Sequence, residues 1–211
     1  MPRVLLGVWF GVLAAPWLAH ADITFDFAGV VTQVSIDDLS TGIQPGAAIA
    51  GTFTFDSTAP DLIPAPSSGS YLSTGPAFGM TVSIDGLTFS ESGSLNIGIL
   101  NSFVDQYTVT ASSAMLSLEL FFQDNSGTIF NSDTSPLSPP LLSVFAERDF
   151  HLDQTDALGS ETQVDGRITA LTSSTVSAVP EPSFLMLLFT TAVAIALYRL
   201  VRSKSVNSRN L

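Results

Sequence analysis

The residues best suited to acid–base chemistry surround a histidine, in the segment Asp149-Phe-His-Leu-Asp153. A catalytic triad requires a serine or cysteine nucleophile that a positioned base activates. The chain has no cysteine and no Gly-x-Ser-x-Gly motif, and no serine is identifiable as a partner of His151. The sequence therefore predicts no catalytic residue, and it favours an ordinary loop or strand-edge position for His151.

Carboxylates are the second group of candidates. Calcium takes oxygen ligands, which loop aspartates and backbone carbonyls can supply. The candidate calcium ligands are Asp149, Asp153 and Asp156, while Asp56 and Asp61 flank a proline-containing loop. No segment has the spacing of an EF-hand, and a lone histidine forms no zinc site without help from carboxylates. We therefore expect no cofactor, with calcium as the alternative.

Short segments in which apolar and polar residues alternate indicate β-strands, because successive side chains of a strand point to opposite faces. These segments are 23–27, 49–55, 78–84, 107–111, 116–120 and 164–170. Asp85-Gly86 between two apolar runs predicts a tight hairpin. Since no amphipathic helix is evident, we expect an all-β fold, a single antiparallel β-sandwich or jelly-roll-like domain over residues 22–171. The segments 58–74 and 131–140, rich in Pro and Ser, are expected to form long surface loops.

Charge limits the partners of this domain. Between residues 22 and 180 there are 18 acidic residues and only two basic ones, Arg148 and Arg167. Such a surface repels nucleic acid and anionic membranes, so neither is expected to bind it. Because the chain has no cysteine, its core or bound ions must stabilise it in place of disulfides.

The N-terminus has the three parts of a secretory signal peptide. Met1-Pro-Arg3 is positively charged, residues 4–18 are apolar, and the small residues Ala19 and Ala21 fit the cleavage rule. We expect cleavage between Ala21 and Asp22. Residues 1–21 are therefore predicted to direct export of the rest of the chain.

The C-terminus combines a proline-containing motif, an apolar run and a basic tail. Pro180-Glu181-Pro182 precedes residues 184–201, an apolar run that only Arg199 interrupts. As a helix this run would span about 27 Å, close to the roughly 30 Å hydrocarbon core of a bilayer. We expect a transmembrane helix with a cytoplasmic C-terminus, since Lys and Arg are enriched on that side. The basic residues are Arg199, Arg202, Lys204 and Arg209.

This order of motif, apolar helix and basic residues resembles a PEP-CTERM sorting signal, which here covers residues 180–211. The resemblance implies recognition by an exosortase, an integral-membrane enzyme of Gram-negative envelopes, and cleavage near Pro180, Glu181 and Pro182. It also implies exopolysaccharide as a candidate partner. Residues 172–179, rich in Ser and Thr, would be the tether between the domain and the motif. Arg199, Arg202 and Lys204 would stop translocation at the inner membrane.

We therefore expect a non-enzymatic protein of the cell envelope or extracellular matrix, exported through the inner membrane and cleaved at its Pro-Glu-Pro motif. Two alternatives remain open. A carbohydrate- or calcium-binding module would present exposed aromatic side chains, for which Tyr71, Phe103 and Tyr107 are the candidates, with a place in the core as the alternative for each. A polysaccharide hydrolase of the retaining type would need two carboxylates about 5–5.5 Å apart, a separation that sequence does not show.

Overall fold

The structure is a computed structural model that describes residues 22–63 and 65–174. The predicted signal peptide, most of the predicted tether and the predicted sorting signal lie outside these residues. Among the described residues, no helix is long and apolar enough to cross a bilayer.

Eight antiparallel strands make up most of the described chain. The strands are β1 (Asp22–Asp37), β2 (Ala48–Asp56), β3 (Ser68–Ile84), β4 (Leu87–Asn101), β5 (Asp105–Ser112), β6 (Leu116–Asp124), β7 (Glu147–Thr155) and β8 (Glu161–Ser173). Each strand pairs with the next along the chain, and β8 pairs with β1, so the sheet closes into a barrel. A single 3-10 turn, Leu142–Val144, lies between β6 and β7.

The predicted antiparallel all-β class is confirmed, but the strands do not form the predicted sandwich or jelly roll. A jelly roll joins two sheets through long Greek-key connections. Here every pairing joins sequence neighbours, apart from the closure of β1 on β8. Alternating side chains give one buried and one exposed face in either architecture, so the pattern could not distinguish them.

Several local predictions can be compared with the strands. The hairpin at Asp85-Gly86 is confirmed: both residues have positive φ, 50° and 84°, as a type I′ turn requires. The segment 131–140 contains no strand, as predicted, but the predicted loop 58–74 is wrong in its second half, because β3 begins at Ser68. β8 also runs past the predicted domain end at residue 171, to Ser173.

Inward-facing side chains fill the barrel and form its core. Phenylalanines from β1 and β2 meet there: the ring of Phe25 contacts Phe53 and Phe55 edge-on, each with centroids 5.4 Å apart. Aliphatic side chains from the other strands complete the core, such as Leu95, Val109 and Leu120. Since an eight-stranded barrel of this kind is packed with side chains, functional groups must be sought on its outer face or at its ends.

The two ends of the barrel differ. At one end, here named the mouth, β1 begins, β8 ends, and three connections cross between strands, residues 57–67, 102–104 and 125–146. The opposite end carries the connections 38–47, 85–86, 113–115 and 156–160. The two ends of the described chain therefore leave the barrel side by side, and the Ser174 N–H donates to the Thr24 carbonyl at 2.9 Å.

Candidate functional site

His151 lies on the outer face of β7, directly opposite Asp165 of β8. Its Nδ1 is 2.8 Å from Asp165 Oδ1, and both side chains are partly exposed. The Ser35 hydroxyl donates to the other Asp165 oxygen at 3.4 Å. The carboxylate thus lies between serine and histidine, whereas in a catalytic triad the histidine lies between the other two. This geometry does not activate Ser35 as a nucleophile.

The three predicted calcium ligands do not come together in the structure. Asp149 and Asp153 point outward from β7 and stand about 13 Å apart along the strand. Asp156 lies in the next turn, where its Oδ1 accepts hydrogen bonds from the N–H groups of Leu158 and Ser160, both at 2.8 Å. Within residues 22–63 and 65–174, no group of three or more His, Cys, Asp or Glu side chains could hold a metal.

Several other aspartates close turns with their carboxylates. Asp61 Oδ1 accepts from the N–H groups of Ile63 and Ser70, both at 2.9 Å. Asp37 Oδ1 accepts from the N–H and hydroxyl of Thr41 at 2.7 and 2.8 Å, and these bonds lower the pKa of Asp37. Part of the acidic content therefore orders connections between strands, a common role of Asp in turns.

Only one of the three predicted aromatic candidates is presented to solvent. Tyr107 is fully buried on the inner face of β5, and burial raises the pKa of its phenol. Tyr71 is half-buried, and its hydroxyl donates to the Asp133 carbonyl at 2.9 Å. Burial, with the nearby carboxylates of Asp61 and Asp133, raises the pKa of Tyr71. Phe103, in the turn between β4 and β5, is 86% exposed.

A shallow, uncharged groove of about 300 Å³, with both apolar and polar lining, lies on the outer face of β3, β4 and β5, on the hairpin that carries Phe103. None of its lining residues is charged. Hydroxyls and amides supply its polar surface: Ser70, Asn96, Gln106 and Thr108. Gly98 lines the groove without a side chain, and a Cβ at this position would collide with the Thr108 hydroxyl.

Hydrogen bonds between neighbouring strands order the amides of this groove. The Ser70 hydroxyl donates to Asn96 Oδ1 at 2.9 Å. The Gln106 Nε2 donates to Gln123 Oε1 at 2.7 Å. Among the described residues, Asn96 Nδ2 and Gln106 Oε1 have no hydrogen-bond partner, which leaves one donor group and one acceptor for a ligand.

A buried carboxylate attaches the segment 125–146, here named the mouth segment, to the barrel. Asp105 is fully buried, and its Oδ2 accepts hydrogen bonds from the N–H groups of Ile129 and Phe130 at 2.6 and 3.0 Å. Its Oδ1 and the Tyr107 hydroxyl have no partner among the described residues. Phe145 of the mouth segment packs on Phe122 of the barrel with ring centroids 5.6 Å apart.

Comparison of the chain with protein-family models, with curated proteins and with solved structures finds no match. Sequence reasoning identified Phe103 but missed the groove, because the groove residues come from three strands whose register the sequence does not give. The predicted processing residues, Ala19 and Ala21 at one end and Pro180, Glu181 and Pro182 at the other, lie outside the described residues.

Proposed function

We propose that the protein is an exported, non-enzymatic component of the cell envelope, cleaved by an exosortase at its Pro-Glu-Pro motif. The supporting observation is the order of parts at the C-terminus: Pro180-Glu181-Pro182, the apolar run 184–201, then the basic tail. Residues 1–21, in which a basic residue precedes an apolar run, support export. The protein would then reach the cell surface or the extracellular matrix, with the C-terminus cytoplasmic until cleavage.

The chemistry of the motif suits a membrane-embedded peptidase. Each proline restricts the residue before it to extended conformations, so Glu181 between two prolines does not continue a helix. Proteases bind extended backbone, which such a segment offers without unfolding. The apolar run would hold the motif at a fixed depth, and Arg199, Arg202 and Lys204 would stop translocation.

Substitutions within the motif test this proposal. Glu181→Ala and Pro182→Ala should leave the full-length chain in the inner membrane, because either change removes a part of the recognised segment. The matched control is Glu147→Ala, at an exposed glutamate at the start of β7. This variant should be processed as the wild type.

The measurement is the intact mass of the protein from its native host, with the exosortase gene present and deleted. The proposal expects a species from Asp22 to residues 180–182 only when the enzyme is present. A mass that retains Leu211 in both strains, or unchanged processing of both motif variants, would contradict it. The tail would then be a plain membrane anchor.

A second function, carbohydrate binding by the barrel, is favoured by the exposure of Phe103 on the hairpin that forms the neutral groove. Carbohydrate-binding sites combine polar side chains that bond the hydroxyls with an apolar surface for the faces of sugar rings. The two functions are compatible, because one concerns delivery of the protein and the other its contact with surrounding polymer.

A further inference from the structure

We propose that the groove on β3, β4 and β5 binds a neutral carbohydrate chain, with Phe103 packing against one sugar ring. The inference rests on the carbohydrate-binding function proposed above and assigns it a site. The amide and hydroxyl groups of the groove make the polar contacts, and the ligand is a chain of several sugars.

The uncharged side chains that line the groove indicate the class of ligand. The barrel is strongly acidic, yet no lining residue of this groove carries a charge. An uncharged lining that combines hydroxyls and amides with apolar side chains matches a ligand whose polar groups are hydroxyls, each of which can donate and accept. Asn96 Nδ2 offers donors and Gln106 Oε1 offers an acceptor, and both amides are already ordered by their neighbours. Such preorganisation lowers the entropy lost on binding.

Apolar side chains also line the groove. Ile63 and Leu100 line the groove, and Ile63 is 45% exposed. Small-molecule sites combine apolar walls with a few fixed polar groups, and the volume of about 300 Å³ is at the lower end of their usual range. The groove therefore fits one part of a chain better than a large compact ligand.

The position of Phe103 sets the length of the ligand. Gly98 pairs with Thr108, and the hairpin closes three residue pairs further on, at Asn101 and Asp105. This places the turn about 10 Å from the centre of the groove along the strands. A single sugar ring does not span that distance, whereas a chain of several sugars contacts both the groove and the ring of Phe103.

Nearby charge favours neutral over acidic sugars. Asp61 accepts a hydrogen bond from the N–H of Ser70, so its carboxylate lies beside the groove. The described chain has only two arginines, and neither lines the groove. A uronate or sulfate group would meet repulsion here without a compensating cation.

The test uses the full-length chain in a detergent without a sugar headgroup, so that the detergent does not compete. Binding is measured by calorimetry to neutral gluco-, manno- and galacto-oligosaccharides and, for comparison, to uronate-containing ones. At least one neutral series should bind, with affinity that increases with chain length, and the acidic series should bind more weakly.

Two variants locate the site. Phe103→Ser should weaken binding about tenfold or more, because truncation of an aromatic contact residue is costly. The matched control is Leu158→Ser, which removes a side chain that is 91% exposed at the opposite end of the barrel. This control should bind as the wild type. Asn96→Asp, which keeps the acceptor for Ser70 and adds a charge, should also weaken binding.

Far-UV circular dichroism first establishes that all variants are folded. The binding results then decide whether the groove and Phe103 form a carbohydrate site. Binding lost with Phe103→Ser and Asn96→Asp but kept with Leu158→Ser supports the site. Absence of binding to every neutral series, preference for the acidic series, or equal binding by all variants overturns it. Intact mass reports cleavage at Pro180–Pro182 separately, so failure of sorting and failure of this site are distinguishable.

Discussion

Replacing Asp105 by alanine tests whether one buried carboxylate holds the mouth segment over the barrel. Its Oδ2 accepts two backbone hydrogen bonds, from Ile129 at 2.6 Å and Phe130 at 3.0 Å. The substitution removes both acceptor interactions at once. The two N–H groups then either stay unpaired or turn to solvent, and either outcome loosens the start of the mouth segment.

The magnitude follows from two opposing terms. A hydrogen bond to a charged group contributes about 1.5–3 kcal/mol, and two are lost. Against this, the substitution removes the cost of burying a carboxylate whose Oδ1 has no partner among the described residues. We expect a net loss of about 2–4 kcal/mol in the free energy of unfolding.

The assay is urea unfolding of residues 22–174, followed by far-UV circular dichroism, with hydrogen exchange at the amides of Ile129 and Phe130. Asp61→Ala is the matched control, because Asp61 also accepts two backbone N–H bonds, at 2.9 Å each, but in an exposed turn. Solvent can replace those bonds, so the control should lose about 1 kcal/mol or less.

Two results would contradict a role of Asp105 in holding the mouth segment. If Asp105→Ala loses no more stability than Asp61→Ala, the buried bonds do not hold the mouth segment. The same conclusion would follow if the amide exchange of Ile129 and Phe130 were unchanged. A stability loss with unchanged exchange would place the effect of Asp105 in the barrel wall instead.

Three further predictions concern pH and backbone geometry. The hydrogen bonds from Thr41 lower the pKa of Asp37 from 3.8, so the stability that they contribute is present above about pH 4 and is lost as the pH falls below it. Asp37→Asn should therefore make the free energy of unfolding depend less on pH in the acid range. Burial raises the pKa of Tyr107 above its usual 10.0, so the buried neutral phenol contributes fully to the free energy of unfolding below pH 10 and loses this contribution as the pH rises further. Tyr107→Phe should therefore reduce alkaline unfolding in a pH titration. Gly79→Ala should cost about 2 kcal/mol or more in urea unfolding, because its Cβ would collide with the Glu91 carbonyl and its φ is 154°. Gly93→Ala, at φ 103° with no atom near its Cβ, should cost less.

The sequence predicted local features better than the overall arrangement. Alternation revealed the strands, and Asp85-Gly86 revealed its hairpin, because both depend on nearby residues. Closure of the barrel depends on β1 meeting β8, as in the pairing of Phe25 with Ser173, and no local pattern encodes a contact across that distance. β3 is a second example of a feature that local patterns miss. Its bulge between Gly75 and Gly79 lets one strand run through the end of the predicted loop 58–74 and the predicted strand 78–84.

The candidate site was partly predictable for the same reason. Tyr107 lies two residues before Val109 in an alternating segment, so both side chains point to the same face of the strand. Because Val109 is apolar, the pattern itself indicated that Tyr107 is buried. Phe103 lies between two strands, where alternation does not apply, and the structure exposes it. The groove needs the register of three strands, which brings Ser70 beside Gly98 and Gly98 beside Thr108.

The start of β1 and the end of β8 lie together at the mouth, and this arrangement determines how the barrel resists force. β8 pairs with β1 from Phe25–Ser173 to Asp37–Thr162, and with β7 on its other side. If one chain end is held while load is applied at the far end of the barrel, these hydrogen bonds are sheared together and share the load. If the two ends are pulled apart from each other at the mouth, the bonds between β1 and β8 open one pair at a time. The same barrel therefore resists load applied along its strands, from one end to the other, better than it resists separation of β1 from β8 at the mouth.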